Sequence, residues 1–345
     1  MSMMQRFLMA SVALVAAATG ASAGGYDRFT QGVAFMFEPG SYAELSFGYV
    51  SPSVEANPAP TGDIAVDFAT IGLAYKRDLT DKLSLGIQFD QPFGANVQYP
   101  AVPFLGAFAE LKSSSVNAIG RYKFDGGFSV HAGLRYVTID GSLYVPSSGV
   151  APQSFSADSE LGYLVGMAYE RPDIALRVAL TYFSETEHAL DSSVGTVGTI
   201  NPPQAVNLDF QTGIAADTLL FGQIRWADWT RSIVNVPPAA LPGTPVITHK
   251  SDSVTYTLGI GRRFNEQWSG ALTLGYEEGD GGPDSLLSPT DGFATVGLAV
   301  TYTMDKVKVT GVVRYVELGD ASTPIVGPFT GNSAVAAGVR IGWTF

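Results

Sequence analysis

From about residue 41 to its end the chain alternates apolar residues with polar or small ones at period two. Leu83, Leu85, Ile87 and Phe89 stand against Ser84, Gly86, Gln88 and Asp90, and Ile174, Leu176, Val178, Leu180 and Tyr182 against Ala175, Arg177, Ala179 and Thr181. Successive residues of a strand point to opposite faces, so this pattern writes a strand with one apolar side; helical periodicity is almost absent. The chain is therefore all-β. Its apolar faces must either pack on a second sheet or face lipid around a closed barrel.

The connections separate these options. Tight turns are expected at Asp78 to Asp81, Asp125-Gly126-Gly127, Arg171-Pro172-Asp173, Ala216-Asp217, Asn265-Glu266-Gln267 and Asp305-Lys306. Between them run longer Pro-, Gly- and Ser-rich links: 52 to 63, 98 to 106, 146 to 153, 188 to 203, 232 to 246, 279 to 288 and 320 to 331. Short and long alternate throughout, which a sandwich does not require. They join about fourteen strands into a transmembrane antiparallel β-barrel with short periplasmic turns, long extracellular loops and both termini at the short-turn rim. The last strand alternates Val339, Ile341, Trp343 and Phe345 with Arg340, Gly342 and Thr344, and is expected to close the barrel on the first strand, because hydrocarbon tolerates no unpaired sheet edge.

Residues 1–23 read as a signal peptide: Arg6, an apolar run from Phe7 to Ala18, and the small-residue site Ala21-Ser22-Ala23, with cleavage before Gly24. The expected division is then a signal peptide (1–23), a short N-terminal segment (24–40) and an outer-membrane barrel (41–345) of a Gram-negative cell. With no cysteine, neither a disulfide framework nor a Cys metal site is possible, and a closed sheet must supply cohesion. Thirty-nine glycines, 15 Tyr and 20 Phe beside only 15% charged residues suit a lipid-facing barrel, while a net charge of -12 argues against nucleic acid as a partner. Tyr75, Tyr122, Phe124, Tyr169, Phe264 and Trp268 fall beside tight turns, and Tyr49, Tyr136, Tyr182 and Tyr276 toward the long loops, as two interfacial girdles would.

Three pieces carry a family resemblance: Leu79-Thr80-Asp81-Lys82-Leu83-Ser84-Leu85-Gly86 leading into Gln91-Pro92-Phe93-Gly94-Ala95; Arg225-Trp226-Ala227-Asp228-Trp229; and Ser288-Pro289-Thr290-Asp291-Gly292-Phe293. In this order, over most of the mature chain, the sequence resembles the FadL/TodX family of fourteen-stranded outer-membrane transporters for long-chain fatty acids and aromatic hydrocarbons. The resemblance implies diffusion of an apolar ligand with sideways exit through a kinked third strand, and a monomer. A C-terminal phenylalanine such as Phe345 resembles the signal read by the barrel-assembly machinery. Members of that family carry an N-terminal hatch with an Asn-Pro-Ala motif. Here the hatch is reduced to a segment around Tyr26 to Phe37 or absent, and Asn57-Pro58-Ala59 falls in the first long loop.

Candidate functional residues follow. Pro92 cannot donate to a ladder and Gly94 permits a bend, so Pro92-Phe93-Gly94 either opens the wall of strand three or simply begins a loop. Arg121, Arg135, Arg177, Arg225, Arg263 and Arg314 fall on the lumen face, where guanidinium groups either hold a carboxylate ligand or pair with acids such as Asp90, Asp209 and Glu277. Phe104 and Phe108, with Val102, Leu105, Leu241 and Val246, offer an outer apolar cradle. His131, His188 and His249 have no triad or metal spacing, so neither an enzyme nor a metal or cofactor is expected. The rivals to a hydrophobic transporter, with outer-membrane lipid as its surroundings, are a nonspecific aqueous porin and a structural or adhesive surface barrel.

Overall fold

The computed structural model describes residues 26–28, 31–57, 61–102, 104–237, 247–281, 285, 289–323 and 327–345. Among the described residues the chain is all-β, broken only by single 3-10 turns. The staves of the wall are β1 (Tyr42–Ser53), β2 (Phe68–Asp78), β3 (Leu83–Asp90), β4 (Phe108–Lys123), β5 (Phe128–Tyr144), β6 (Gln153–Arg171), β7 (Leu176–Phe183), β8 (Ala205–Ala215), β9 (Thr218–Ala227), β10 (Ser253–Arg263), β11 (Trp268–Glu277), β12 (Phe293–Met304), β13 (Val307–Leu318) and β14 (Ser333–Thr344). Each pairs antiparallel with its sequence neighbours, and β14 returns to β1 from Tyr42↔Thr344 to Ser53↔Ser333. The barrel is closed. Gly94–Gln98 continues the line of β3 along β4 and counts as no additional stave.

All six tight turns fall where the turn residues place them, at one rim. Several need the left-handed region: Gly126 and Gly127 supply it freely, and Asp217 and Asp305 adopt it at φ 56° and 51°. The long connections gather at the opposite rim. There His188–Asp191, Val197–Ile200 and Val234–Asn235 form a small sheet, and Ala321–Thr323 pairs with Gly327–Phe329. A cluster including Val54, Ile64, Phe293, Leu318 and Phe329 seals part of this rim.

Period two sorts the side chains as hydrocarbon requires. On β14 Val335, Val339, Ile341 and Trp343 face out and are exposed, while Ala334, Ala336 and Gly342 face in. The eight residue steps from Val335 to Trp343 span about 27 Å along the strand, or roughly 21 Å across the membrane at a tilt near 40°, close to the apolar band such barrels present. The tight-turn girdle contains the ring pairs Tyr75–Phe345, Tyr122–Phe124, Phe128–Tyr169 and Trp268–Tyr302; Tyr163–Tyr182 and exposed Tyr49, Tyr136 and Tyr276 mark the other. No described helix is long and apolar enough to cross a membrane. The proposed signal peptide lies outside the described residues.

Candidate functional site

The third stave is interrupted. β3 pairs with β4 as far as Asp90↔Ser115 and pairing resumes at Gly94↔Lys112, so the β3 side carries one residue more than β4. Pro92 therefore interrupts the strand rather than ending it. Ser113 bridges the defect: its hydroxyl accepts from Phe93 N–H (2.8 Å) and donates to the Phe93 carbonyl (2.7 Å). The defect also strips the other neighbour. The β2–β3 ladder stops at Leu73↔Phe89, leaving Phe68–Gly72 laddered on β1 alone. A single bridge, Ala65↔Val97, rejoins the two sides above, and within the gap Gln91 Oε1 accepts from Ile71 N–H at 2.9 Å. This window stands level with Tyr49, which pairs with Ala69, at the long-loop edge of the apolar band.

From inside, the window is met by the N-terminal segment. Arg28 N–H donates to the Pro92 carbonyl (2.7 Å) and Gly94 N–H to the Tyr26 carbonyl (2.8 Å), a short antiparallel pairing centred on Asp27↔Phe93. Tyr26 is buried between Phe93 and Trp229, and its hydroxyl is 2.7 Å from that of Ser232. Further along, Val33, Phe35, Met36 and Phe37 pack on the inward residues Ala74, Ile119, Leu164, Ala168 and Ala179. Gly86 makes room for them, since a Cβ there would meet Met36 Sδ at 2.4 Å.

Most of the expected lumen arginines hold this segment. Arg225 donates twice to Asp27 Oδ2 (3.0 and 2.8 Å) and once to Asn207 (3.0 Å). Burial pushes the Asp27 carboxyl above its ordinary pKa, and the Arg225 charge opposes that rise. Arg135 donates to Gln31; Arg121 pairs with Glu170 and donates to the Met36 carbonyl (3.2 Å); Arg177 lies over the Phe37 ring at 4.9 Å. Lys76 adds a bond to the Glu38 carbonyl (2.6 Å). Arg314 projects inward from β13 beside Gly297. Arg263 stands apart: at the end of β10 it pairs with Asp217 of a tight turn, on the rim and partly exposed. Arg225→Met is expected to strand the Asp27 carboxyl and weaken the segment's seating by about 3 kcal/mol. Limited chymotrypsin digestion checks this, because Phe35 and Phe37 become cleavable only on release; resistance equal to the parent protein contradicts it.

Above the window lies an apolar cavity of about 80 Å³, walled by Ala95, Ala109, Leu111, Leu143, Phe155, Leu190, Ile200, Val234, Val236 and Ile247, with Glu110 as its charged member. Ala95 adjoins the interrupted stretch, so cavity and window share a border. Phe108 falls on the outward side of β4 and leaves the cavity to Ala109 and Leu111; Phe104 packs edge-on to Tyr99 within the rim cluster. Val102 and Leu105 are exposed on the adjoining loop, and Leu241 and Val246 lie outside the described residues. Asn57 sits in the first long loop, bonded to the Pro328 carbonyl (3.0 Å); Pro58 and Ala59 are not among the described residues.

The histidines are dispersed. His131 contacts Thr181 (2.9 Å), His249 packs on Trp229, and His188, itself buried, lies between buried Thr186 (3.0 Å) and partly exposed Asp158 (3.2 Å). Burial lowers the His188 pKa, against the pull of Asp158. Among the described residues no cluster of His, Asp and Glu has metal-binding geometry.

Solved structures share this architecture. A FadL homologue of Pseudomonas aeruginosa matches with a TM-score of 0.70 at 11% identity, covering 90% of each chain. The toluene transporter TodX of P. putida matches at 0.66 and 15%, over 95% of this chain and 97% of that one, and the toluene transporter TbuX of Ralstonia pickettii at 0.65 and 14% with the same coverages. No protein-family model and no curated protein matches the sequence. At these identities the likeness establishes the fold.

Proposed function

We propose that this barrel carries hydrophobic small molecules, aromatic hydrocarbons or long-chain fatty acids, across the outer membrane of a Gram-negative cell, releasing them sideways into the bilayer. The observation that carries the reading is the shared border of an apolar cavity and an unladdered window in the wall. An apolar ligand gains by leaving water for the cavity and loses nothing by passing on into hydrocarbon, and its route avoids the polar lumen, where the N-terminal segment sits as a reduced plug. The long-loop rim then faces outward and the tight turns the periplasm. Phe345, stacked on Tyr75 at 6.0 Å, is the residue offered to the assembly machinery. Support from the comparisons is that solved barrels of the same fold are described as transporters of toluene; long-chain fatty acids remain the other candidate ligand.

Filling the cavity tests the reading. Leu111→Trp is expected to lower uptake of toluene or laurate about tenfold, the factor equivalent to losing roughly 55 Å² of apolar contact at about 25 cal/mol per Å². Uptake of a small sugar is expected not to change. Equal loss of both solutes, with the barrel still heat-modifiable on gels, favours the aqueous-porin alternative. One observation supports that rival: the inward faces of β10 to β12 carry Thr255, Thr257, Thr273 and Thr301, all partly accessible, so part of the lumen is hydroxyl-lined and wettable.

A further inference from the structure

The window is closed by a side chain as well as by backbone. Arg28 reaches into the space between the free side of β2 and the resumed third stave. Its guanidinium carbon lies 4.0 Å from the centroid of the Phe68 ring, and a Cβ at Gly94 would stand 2.4 Å from its Nε and 2.6 Å from its Cζ. The side chain thus rests on β2 at one edge of the gap and fits a notch in the other edge that only glycine leaves. Among the described residues no ion pair fixes Arg28, unlike Arg121 and Arg225. Its close contact with the wall is a stack on one aromatic ring, an attraction of the cation for the ring face, and Glu110 attracts its charge from beyond pairing distance. Burial lowers its pKa to about 10, which keeps it charged at neutral pH.

Building on the lateral-exit reading, we propose that Arg28 is the latch of the window: its guanidinium, stacked on Phe68 and seated against Gly94, bars the path from the cavity to the bilayer, and swinging it away opens that path. The planar, delocalised cation suits the task because it stacks on the ring and covers a flat gap, which an ammonium does not do. Two features follow from the geometry. The latch is carried on the same three residues that pair with Pro92–Gly94, so its base is fixed by backbone bonds while its tip is held by side-chain contacts. In addition, a fixed positive charge in the gap opposes leakage of cations beside the ligand.

Uptake of the neutral fluorescent probe 1-N-phenylnaphthylamine by cells producing the full-length protein tests the latch, with heat-modifiable gel mobility reporting assembly. Arg28→Ala and Phe68→Leu are each expected to raise the initial rate about fivefold, the change that matches loss of one cation–π contact. Arg28→Lys is expected to fall between these and the parent. Gly94→Ala, a position with ordinary backbone angles, is expected to act like Arg28→Ala by pushing the guanidinium from its notch. Unchanged rates in Arg28→Ala and Gly94→Ala, in a barrel whose uptake is still blocked by a covalent bridge across the window, overturn the latch and leave lateral exit standing. If that bridge also leaves uptake unchanged, lateral exit fails and the latch with it.

Discussion

A disulfide across the window is expected to abolish hydrophobic uptake, and reduction to restore it. Continuing the β2–β3 register one step past Phe89 and Leu73 and one more beyond would set Ile71 opposite Gln91, and these residues already touch through the Ile71 N–H and the Gln91 side chain. Ile71→Cys with Gln91→Cys replaces that side-chain bridge by a covalent one. In the oxidised protein, toluene or laurate uptake is expected to drop to that of cells lacking the barrel, with sugar permeation unaffected. Added dithiothreitol is expected to return uptake in the same cells, which excludes misassembly as the cause. Mass spectrometry of the peptide pair confirms that the bond has formed. Full uptake in a quantitatively bridged barrel refutes lateral exit.

Removing the N-terminal segment is expected to turn a non-conducting barrel into an ion-conducting one. An in-frame deletion of residues 26 to 37, with the preceding sequence kept for export, withdraws Tyr26 from Trp229, Asp27 from Arg225 and Phe35 to Phe37 from the lumen wall. The wall itself should survive, since its ladders do not depend on the segment and the exposed arginines become hydrated. In planar bilayers the parent protein is expected to show no resolvable current steps. The deletion variant is expected to show porin-like steps with cation and anion selectivity set by Arg121, Arg135 and Arg225. Identical traces for the two proteins imply that the rim loops, and not this segment, occlude the lumen.

The wall was legible in the sequence because its determinants are local. Alternation fixes which face each residue takes, and Asp, Asn, Gly and Pro mark the turns, so stave number, order and closure follow without long-range information. A break at Pro92 was legible for the same reason, but the sequence left open whether it interrupts the strand or begins a loop. What occupies the lumen was not. Tyr26 meets Ser232 206 positions away and Asp27 meets Arg225 198 away, and no periodicity encodes such contacts. The available hints were the unalternating run Phe35-Met36-Phe37 and two glycines, Gly86 on the inward side and Gly94 at the interruption, each the imprint of something pressed against the wall. Parity also misleads about depth and about strand starts. Arg263 shares the inward side with Arg225 but ends its strand beside a turn aspartate, and Phe108 begins its strand with the outward side.

The seams of this barrel are unequal. β1 and β14, the two ends of the chain, are joined by twelve residue pairs, whereas β2 and β3 share six, the shortest run of any two adjoining staves. A hoop under tension parts at its weakest joint. Here the joint made last in the chain is among the strongest and the weakest lies inside the first hairpins, so thermal breathing of the wall concentrates at the window. The closure that defines the barrel is insulated from that motion, which lets the protein flex at one seam without losing its circumference.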